Sequence, residues 1–485
     1  MRREKSGVSR VVIVEGIWNR RVKFGGWEVP PGTRRKNLLR ILVLLFVLGL
    51  TTAGAAAAAN GETPFTLCGK AERAARPLRR GLDGWIFERG DLLERYQPGV
   101  PVQADLTRLV EALEARGVTL VAVVLPKRGS VYPDQLDRRK AVFAAYNDAR
   151  ARASYRAFLA DLRAAGIRTP DLTEVAWRGR KGFFFRRDGH WTSAGARRAA
   201  GAVASFIRPL PAYADLEKST FRTRSLGTVT QKGFLQERAE KLCNLSIPDE
   251  QLEVFATDLG TTGLSAGAAL FGDLGLPPVT LVGTSNSKRL SDRPDLNFSG
   301  FLREQLGLEV YNAAFAGSGI YGSLLPYLRS DEFRDHKPAF IVWETLIGDW
   351  HNAPRLVNDH RQVIPSVYGA CTPEAGALPQ RTAANRRKIF ELLRNDAGLP
   401  LRGREHFVYV ELEDLSVVNF DLTLKYGEGE ERVALGQSTR VPNSGRFFLE
   451  VSDNYGDLES VSLSAPRPVT GAVRARVCRA PSVRR

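Results

Sequence analysis

Between Leu106 and Trp343 the chain alternates two hydrophobic periods, and that alternation admits few architectures. Leu106, Leu109, Val110 and Leu113 recur at helical spacing, Gly117 ends them, and the run from Val118 to Leu125 is unbroken apolar sequence. Tyr155, Phe158, Leu159 and Leu162 repeat the helical face as far as Gly166, ahead of a short strand candidate from Ile167 to Leu172. Three further apolar runs, Val279 to Val282, Leu308 to Tyr311 and Phe340 to Trp343, are separated by helical patterns such as Phe298, Phe301 and Leu302. Buried strands alternating with amphipathic helices predict an α/β domain, a parallel sheet covered by helices.

From about Glu405 the texture changes. Phe407, Tyr409 and Glu411, then Phe420, Leu422, Leu424 and Tyr426, then Phe447 to Val451 and Val461 to Ala465 read as short strands between Gly, Asn, Asp and Pro turns. That pattern predicts a small β-sandwich, a module that commonly binds rather than catalyses. The expected organisation is a leader at 1–59, the α/β domain at 60–370, a connection at 371–404 with a helix around Arg386 to Leu393, and the sandwich at 405–485.

Residues 1–59 carry an export message. Arg34, Arg35, Lys36 and Arg40 precede the apolar run from Ile41 to Leu50, and an alanine tract ends at Asn60 with the small residues of a cleavage site. The charge-free stretch from Ile41 to Ala59 is also just long enough for an uncleaved anchor, but its strongly apolar part is short, which favours cleavage. Met1 is the single methionine and residues 1–33 are a long lead, so the true start is expected downstream of Met1.

Export decides how the four cysteines read, since oxidising compartments let disulfides persist. Cys371 and Cys478 bracket the C-terminal region, which leaves Cys68 to pair with Cys243. With no C-x-x-C spacing, zinc is not expected, and no cofactor is called for. Residues 1–59 hold 11 of the 70 Lys and Arg and 3 of the 53 Asp and Glu, so the remainder still carries a formal charge of +9. A basic surface suits a polyanion; an exported protein seldom meets nucleic acid, so an acidic polysaccharide is the expected partner.

Two motifs carry chemistry. Asp188, Gly189, His190 and Trp191 supply a base and its orienting carboxylate, and Gly283, Thr284, Ser285, Asn286 and Ser287 supply a nucleophile directly after the strand from Val279 to Val282. Ligands of open α/β sheets sit at the carboxyl ends of strands, where both motifs fall. Gly283 allows the sharp turn that exposes the Ser285 hydroxyl and aims the Ser285 N–H at a substrate oxygen. Thr192 or Ser193 caps the helix that follows His190. Taken singly, each residue has a bland alternative: a turn, a surface histidine, a turn-forming aspartate. Together they specify acyl transfer.

Together with Asp83-Gly84-Trp85-Ile86-Phe87, Gly317-Ser318-Gly319-Ile320-Tyr321-Gly322 and Ile341-Val342-Trp343-Glu344, these motifs resemble the SGNH-hydrolase-like polysaccharide O-acetyltransferases of alginate biosynthesis, the AlgX/AlgJ group. The order Asp, His, Ser looks like the permuted order of that group, and a C-terminal β module with its own cysteine pair is similar to its AlgX branch. The resemblance implies a periplasmic enzyme that acetylates mannuronate hydroxyls of alginate, drawing on a protein or small acetyl donor within an exopolysaccharide export complex. It makes Ser285 the nucleophile, His190 the base and Asp188 its orienter, while Ser287 tunes the turn. The usual Gly-x-Asn-Asp block is absent and Trp343-Glu344 stands in its place. Oxyanion contacts are therefore assigned to Ser285, Asn312, Gly317 and Gly319.

Lys127 and Arg128 follow the strand ending at Leu125 and are expected on the catalytic rim, while Lys425, Arg440 and Arg446 of the sandwich offer further grips for uronate carboxylates. Two rival functions keep the same residues: a carbohydrate esterase with an open site, and a catalytically idle scaffold that threads polysaccharide through an export complex.

Overall fold

A computed structural model of the chain describes residues 65–96, 100–177, 182–260, 277–351, 353–372, 376, 378, 381–384 and 388–481, with the pairs Lys23–Phe24 and Trp27–Glu28. Met1–Thr63 is a unit of its own, in which those two pairs form an antiparallel ladder. The apolar segment and cleavage site of the expected leader lie outside the described residues. No helix among the described residues is long and apolar enough to cross a membrane. Pro64–Arg485 forms one compact unit.

Its first half is built on a four-stranded parallel sheet in the order Thr119–Leu125, Phe340–Leu346, Val279–Val282, Val310–Asn312. Both faces are covered, as the unbroken apolar runs require. Val121, Val123, Leu125, Val279, Leu281 and Val342 enter one core with the helices Ser193–Ile207 and Phe298–Leu306. The alternate residues Leu120, Ala122, Val124, Val282, Ile341 and Trp343 enter a second core with Val100–Glu114, Asp148–Ala164 and Ala353–Tyr368. Gly117 and Gly166, expected to end two helices, adopt φ of +73° and +88°, a region that costs a side chain strain and glycine little. The strand expected at Ile167 shrinks to a single parallel bridge between Arg168 and Val121.

The second half is the expected sandwich of two four-stranded antiparallel sheets around one core. It begins earlier than Glu405. Arg381–Ala384 is an edge strand of one sheet, and Ile389–Arg394, expected as a helix, is an edge strand of the other. A register shift between Glu391 and Leu393 explains the misreading, because the bulge buries the adjacent Leu392 and Leu393 together and so imitates a helical face. A long hairpin, Phe221–Gln231 against Glu250–Leu259, was also unexpected; its first strand is polar and largely exposed, with no apolar alternation to announce it.

Both disulfides pair as expected, Cys68 with Cys243 at a Cα separation of 5.4 Å and Cys371 with Cys478 at 5.7 Å. The first ties the start of the α/β half to the helix Phe234–Cys243, and the second joins Cys371, three residues beyond the helix Ala353–Tyr368, to the last sandwich strand. Ion pairs finish the join between halves. Arg361 grips Glu431 through two bonds of 2.8 and 2.6 Å, and Arg108 meets the buried Glu450.

Candidate active site

Residues separated by about a hundred positions converge at the carboxyl end of the parallel sheet. His190 Nε2 lies 2.7 Å from Ser285 Oγ, and His190 Nδ1 is hydrogen-bonded to Asp188 Oδ1. Asp188 is 0% exposed. Its Oδ2 accepts from the Phe234 N–H at 3.2 Å and from the Arg289 guanidinium at 3.4 Å. Burial alone would push its pKa up, but the His190 ring, Arg289 and the Phe234 N–H outweigh burial and hold the carboxyl well below the usual carboxylate range.

The loop bearing His190 is held from both ends. Phe185 N–H donates to His190 O and Thr192 N–H to Phe183 O, closing a tight hairpin. Thr192, rather than Ser193, caps the following helix by accepting from the Gly195 N–H at 3.1 Å. Glu250, at the start of the unexpected hairpin's second strand, accepts from the N–H groups of Arg186 and Arg187 at 3.0 and 2.9 Å.

The turn that carries Ser285 is fastened from beneath by Glu344, also 0% exposed. Its carboxyl accepts from Thr284 N–H at 2.7 Å, from the Thr284 hydroxyl at 3.0 Å and from the Ser287 hydroxyl at 3.0 Å. A Cβ at position 283 would fall 2.7 Å from Glu344 Oε2 and 2.8 Å from Ser287 Oγ, so this close approach requires glycine. Asn286 couples the two motifs: its side-chain and backbone oxygens accept from the Trp191 N–H and indole at 3.2 and 3.0 Å. Ser287 thus supports the turn, in keeping with the role expected of it.

Ser285 and His190 open into a cavity of about 890 Å³. Of the residues expected to bind substrate, Lys127 and Arg440 line it; Lys425 and Arg446 do not. Arg446 instead donates to Arg329 O and pairs with Asp331, joining the sandwich to the α/β half. Lys425 is exposed on the strand Asn419–Tyr426. Arg128 touches the cavity but is only 2% exposed, and it corrects the expectation of a rim cation. Its guanidinium donates to Ile86 O, Phe185 O and Arg186 O at 2.8 to 2.9 Å, pairs with Asp91 and stacks on Trp85 and Phe87. It therefore pins the Trp85 to Phe87 motif to the segment leading into Asp188.

The oxyanion assignments divide as well. The N–H groups of Ser285 and Gly317 have no protein acceptor among the described residues, and both residues line the cavity. Asn312 is committed elsewhere, its amide donating to Ser287 O at 3.0 Å and accepting from the Ala314 N–H at 3.1 Å. Gly319 lines a neighbouring, smaller pocket instead. Among residues that the sequence reading missed, Arg289 and Arg293 follow the nucleophile motif within eight positions and line the same cavity, as do Arg76 and Arg89 on either side of the Trp85 motif. Basic residues flanking the motifs were the available signal. No group of three or more metal-ligating side chains occurs among the described residues.

Residues 78–346 match the family model of an SGNH hydrolase-like domain, acetyltransferase AlgX, and residues 370–485 match that of a C-terminal carbohydrate-binding module. The chain is 31% identical to the alginate biosynthesis protein AlgX of Pseudomonas aeruginosa over 475 residues, 92% of this chain and 97% of that one. It is 33% identical over 280 residues to the probable alginate O-acetylase AlgJ of the same organism, covering 54% of this chain and 68% of that one. The solved structure of P. aeruginosa AlgX superposes with a TM-score of 0.74 at 29% identity, covering 86% of this chain and all of that one. With two matched domains in the same order and a relative aligned almost end to end, this chain belongs to the AlgX family.

Proposed function

We propose that this protein is a periplasmic O-acetyltransferase that moves acetyl groups onto mannuronate hydroxyls of alginate or a similar polyuronate through an acetyl-Ser285 intermediate. The observation that carries the reading is the unbroken chain Asp188, His190, Ser285 opening into a cavity rimmed by Lys127, Arg89, Arg76 and Arg293. The names of its relatives, alginate biosynthesis protein and probable alginate O-acetylase, point to the same polymer.

His190 Nε2 takes the Ser285 proton as Oγ bonds to the acetyl carbon of the donor. Ionised Asp188 holds the Nδ1–H tautomer and stabilises the imidazolium that forms. The N–H groups of Ser285 and Gly317 receive the negative charge on the tetrahedral oxygen, where one such donor is worth about 3 kcal/mol. Collapse breaks the bond to the donor's leaving group, which departs with the proton from His190. A sugar hydroxyl then gives its proton to His190 and bonds to the acetyl carbon; Ser285 leaves and regains its proton. Whether water or sugar takes that second step depends on acceptor binding, which the cationic rim and the C-terminal module supply.

The test is to incubate the protein with an activated acetyl ester and oligomannuronate and to look for acetylated oligomer by mass spectrometry. Acetylated sugar that disappears in Ser285→Ala supports the transferase. Free acetate at a rate indifferent to the oligomer identifies an esterase, and a protein that gives neither acetylated sugar nor acetate yet binds the oligomer supports a binding scaffold.

A further inference from the structure

Arg440 belongs to the sandwich, in the loop between the strands Gly429–Gly436 and Arg446–Glu450, yet its guanidinium Nη1 donates to Ala316 O at the edge of the catalytic cavity. The carbonyl of Ala316 and the N–H of Gly317 are the two ends of one peptide unit. In a trans peptide these ends point in opposite directions, and none of the described peptide bonds is cis. A cation fixed on the carbonyl therefore fixes the N–H on the far side, and it polarises the unit so that the N–H becomes a stronger donor. Gly317 has φ of +78°, and a Cβ there would stand 3.3 Å from Arg440 Nη1, so the contact and the glycine fit one another. The same turn is bound to the nucleophile strand on both sides of Gly317. The Phe315 N–H and the Ser318 hydroxyl both donate to Gly283 O, at 3.3 and 2.8 Å, two residues before Ser285.

We infer that Arg440 is a positioning residue for the oxyanion site: the C-terminal module reaches into the catalytic half and sets the orientation and strength of the Gly317 N–H. The inference rests on the acyl-transfer reading above and replaces the expectation that Arg440 grips a substrate carboxylate. It makes the module part of the catalytic apparatus as well as a polymer-binding unit. Loss of the clamp weakens transition-state stabilisation for every acetyl ester, whether or not a polymer is present.

The experiment follows turnover of a small activated acetyl ester, and separately the KM for oligomannuronate, in full-length wild type, Arg440→Ala and Arg440→Lys. Removing an oxyanion donor costs ~10²- to 10³-fold, so loosening one is expected to lower kcat for the small ester by about 10- to 100-fold in Arg440→Ala. Arg440→Lys, which keeps a cation on the carbonyl, recovers part of the loss, and the oligomannuronate KM stays within about twofold of wild type. An unchanged small-ester kcat with a raised oligomer KM overturns the inference and returns Arg440 to the role of substrate grip. If Arg440→Ala does not fold, Arg440→Lys decides alone: partial small-ester turnover at wild-type thermal stability supports the clamp, and full turnover overturns it. Failure of the underlying reading looks different, because Ser285→Ala would then match wild type on the small ester.

Discussion

Two buried carboxyls flank Ser285, and they behave oppositely. Asp188 and Glu344 are each 0% exposed; Asp188 accepts from the His190 N–H and Glu344 from the Thr284 N–H. Asp188 faces the His190 ring and the Arg289 guanidinium, which overcome burial and keep it ionised. Glu344 faces Thr284 N–H and two hydroxyls, all neutral, so desolvation prevails over their opposing effect and its pKa rises to about 7. Burial sets the size of the penalty, and the charge of the partners decides its sign. The carboxyl bonded to the His190 ring has a guanidinium beside it; the one that fastens the turn has none.

The largest break in this pairing comes from Asp188→Asn. An amide cannot hold the Nδ1–H tautomer, so kcat should fall by ~10⁴-fold with the fold intact by circular dichroism. A loss under tenfold would show that Asp188 does not orient the base.

Next comes the pH dependence of stability, where the two carboxyls pull in opposite directions. Asp188 has a depressed pKa, so its contribution is present above its unfolded-state value and is lost as pH falls. Glu344 has a raised pKa, so its burial becomes a growing penalty as pH climbs from about 4.5 to about 7, worth about 3 kcal/mol when complete. Urea unfolding of Glu344→Gln should therefore gain stability relative to wild type as pH rises through that window. A difference that stays flat from pH 4 to 8 contradicts the assignment.

Gly283→Ala drives a methyl toward the Glu344 carboxyl and Ser287 and should cost ~1 to 3 kcal/mol of stability, read from the urea midpoint, with a matching loss of turnover. Smallest is Arg289→Met. It removes one cation from Asp188, so kcat/KM should fall about tenfold and its acid limb should move to higher pH.

Legibility followed the same physics. Strands buried on both faces, such as Thr119–Leu125, are unbroken apolar runs and could be read directly. Phe221–Gln231 could not, because its pairing rests on backbone bonds while its side chains face water. The meeting of Asp188, His190 and Ser285 was legible because each motif places its residues on a short turn at a strand or helix end. Arg128 was not: an arginine after a strand normally projects to solvent, and distant partners, among them Trp85, Phe87 and Phe185, turn it inward. Asn312 failed for a related reason, since spare amide capacity depends on which carbonyls the fold brings near it.

Intact-mass spectrometry on wild type and Ser285→Ala, after a pulse of activated acetyl ester and a chase with oligomannuronate, tests the central claim most directly. The account predicts one acetyl group on the Ser285 peptide of wild type, none at that site in the variant, and loss of the label in step with acetylation of the sugar. Sugar acetylation by wild type without any acetyl-Ser285, or an undiminished rate in Ser285→Ala, would contradict it.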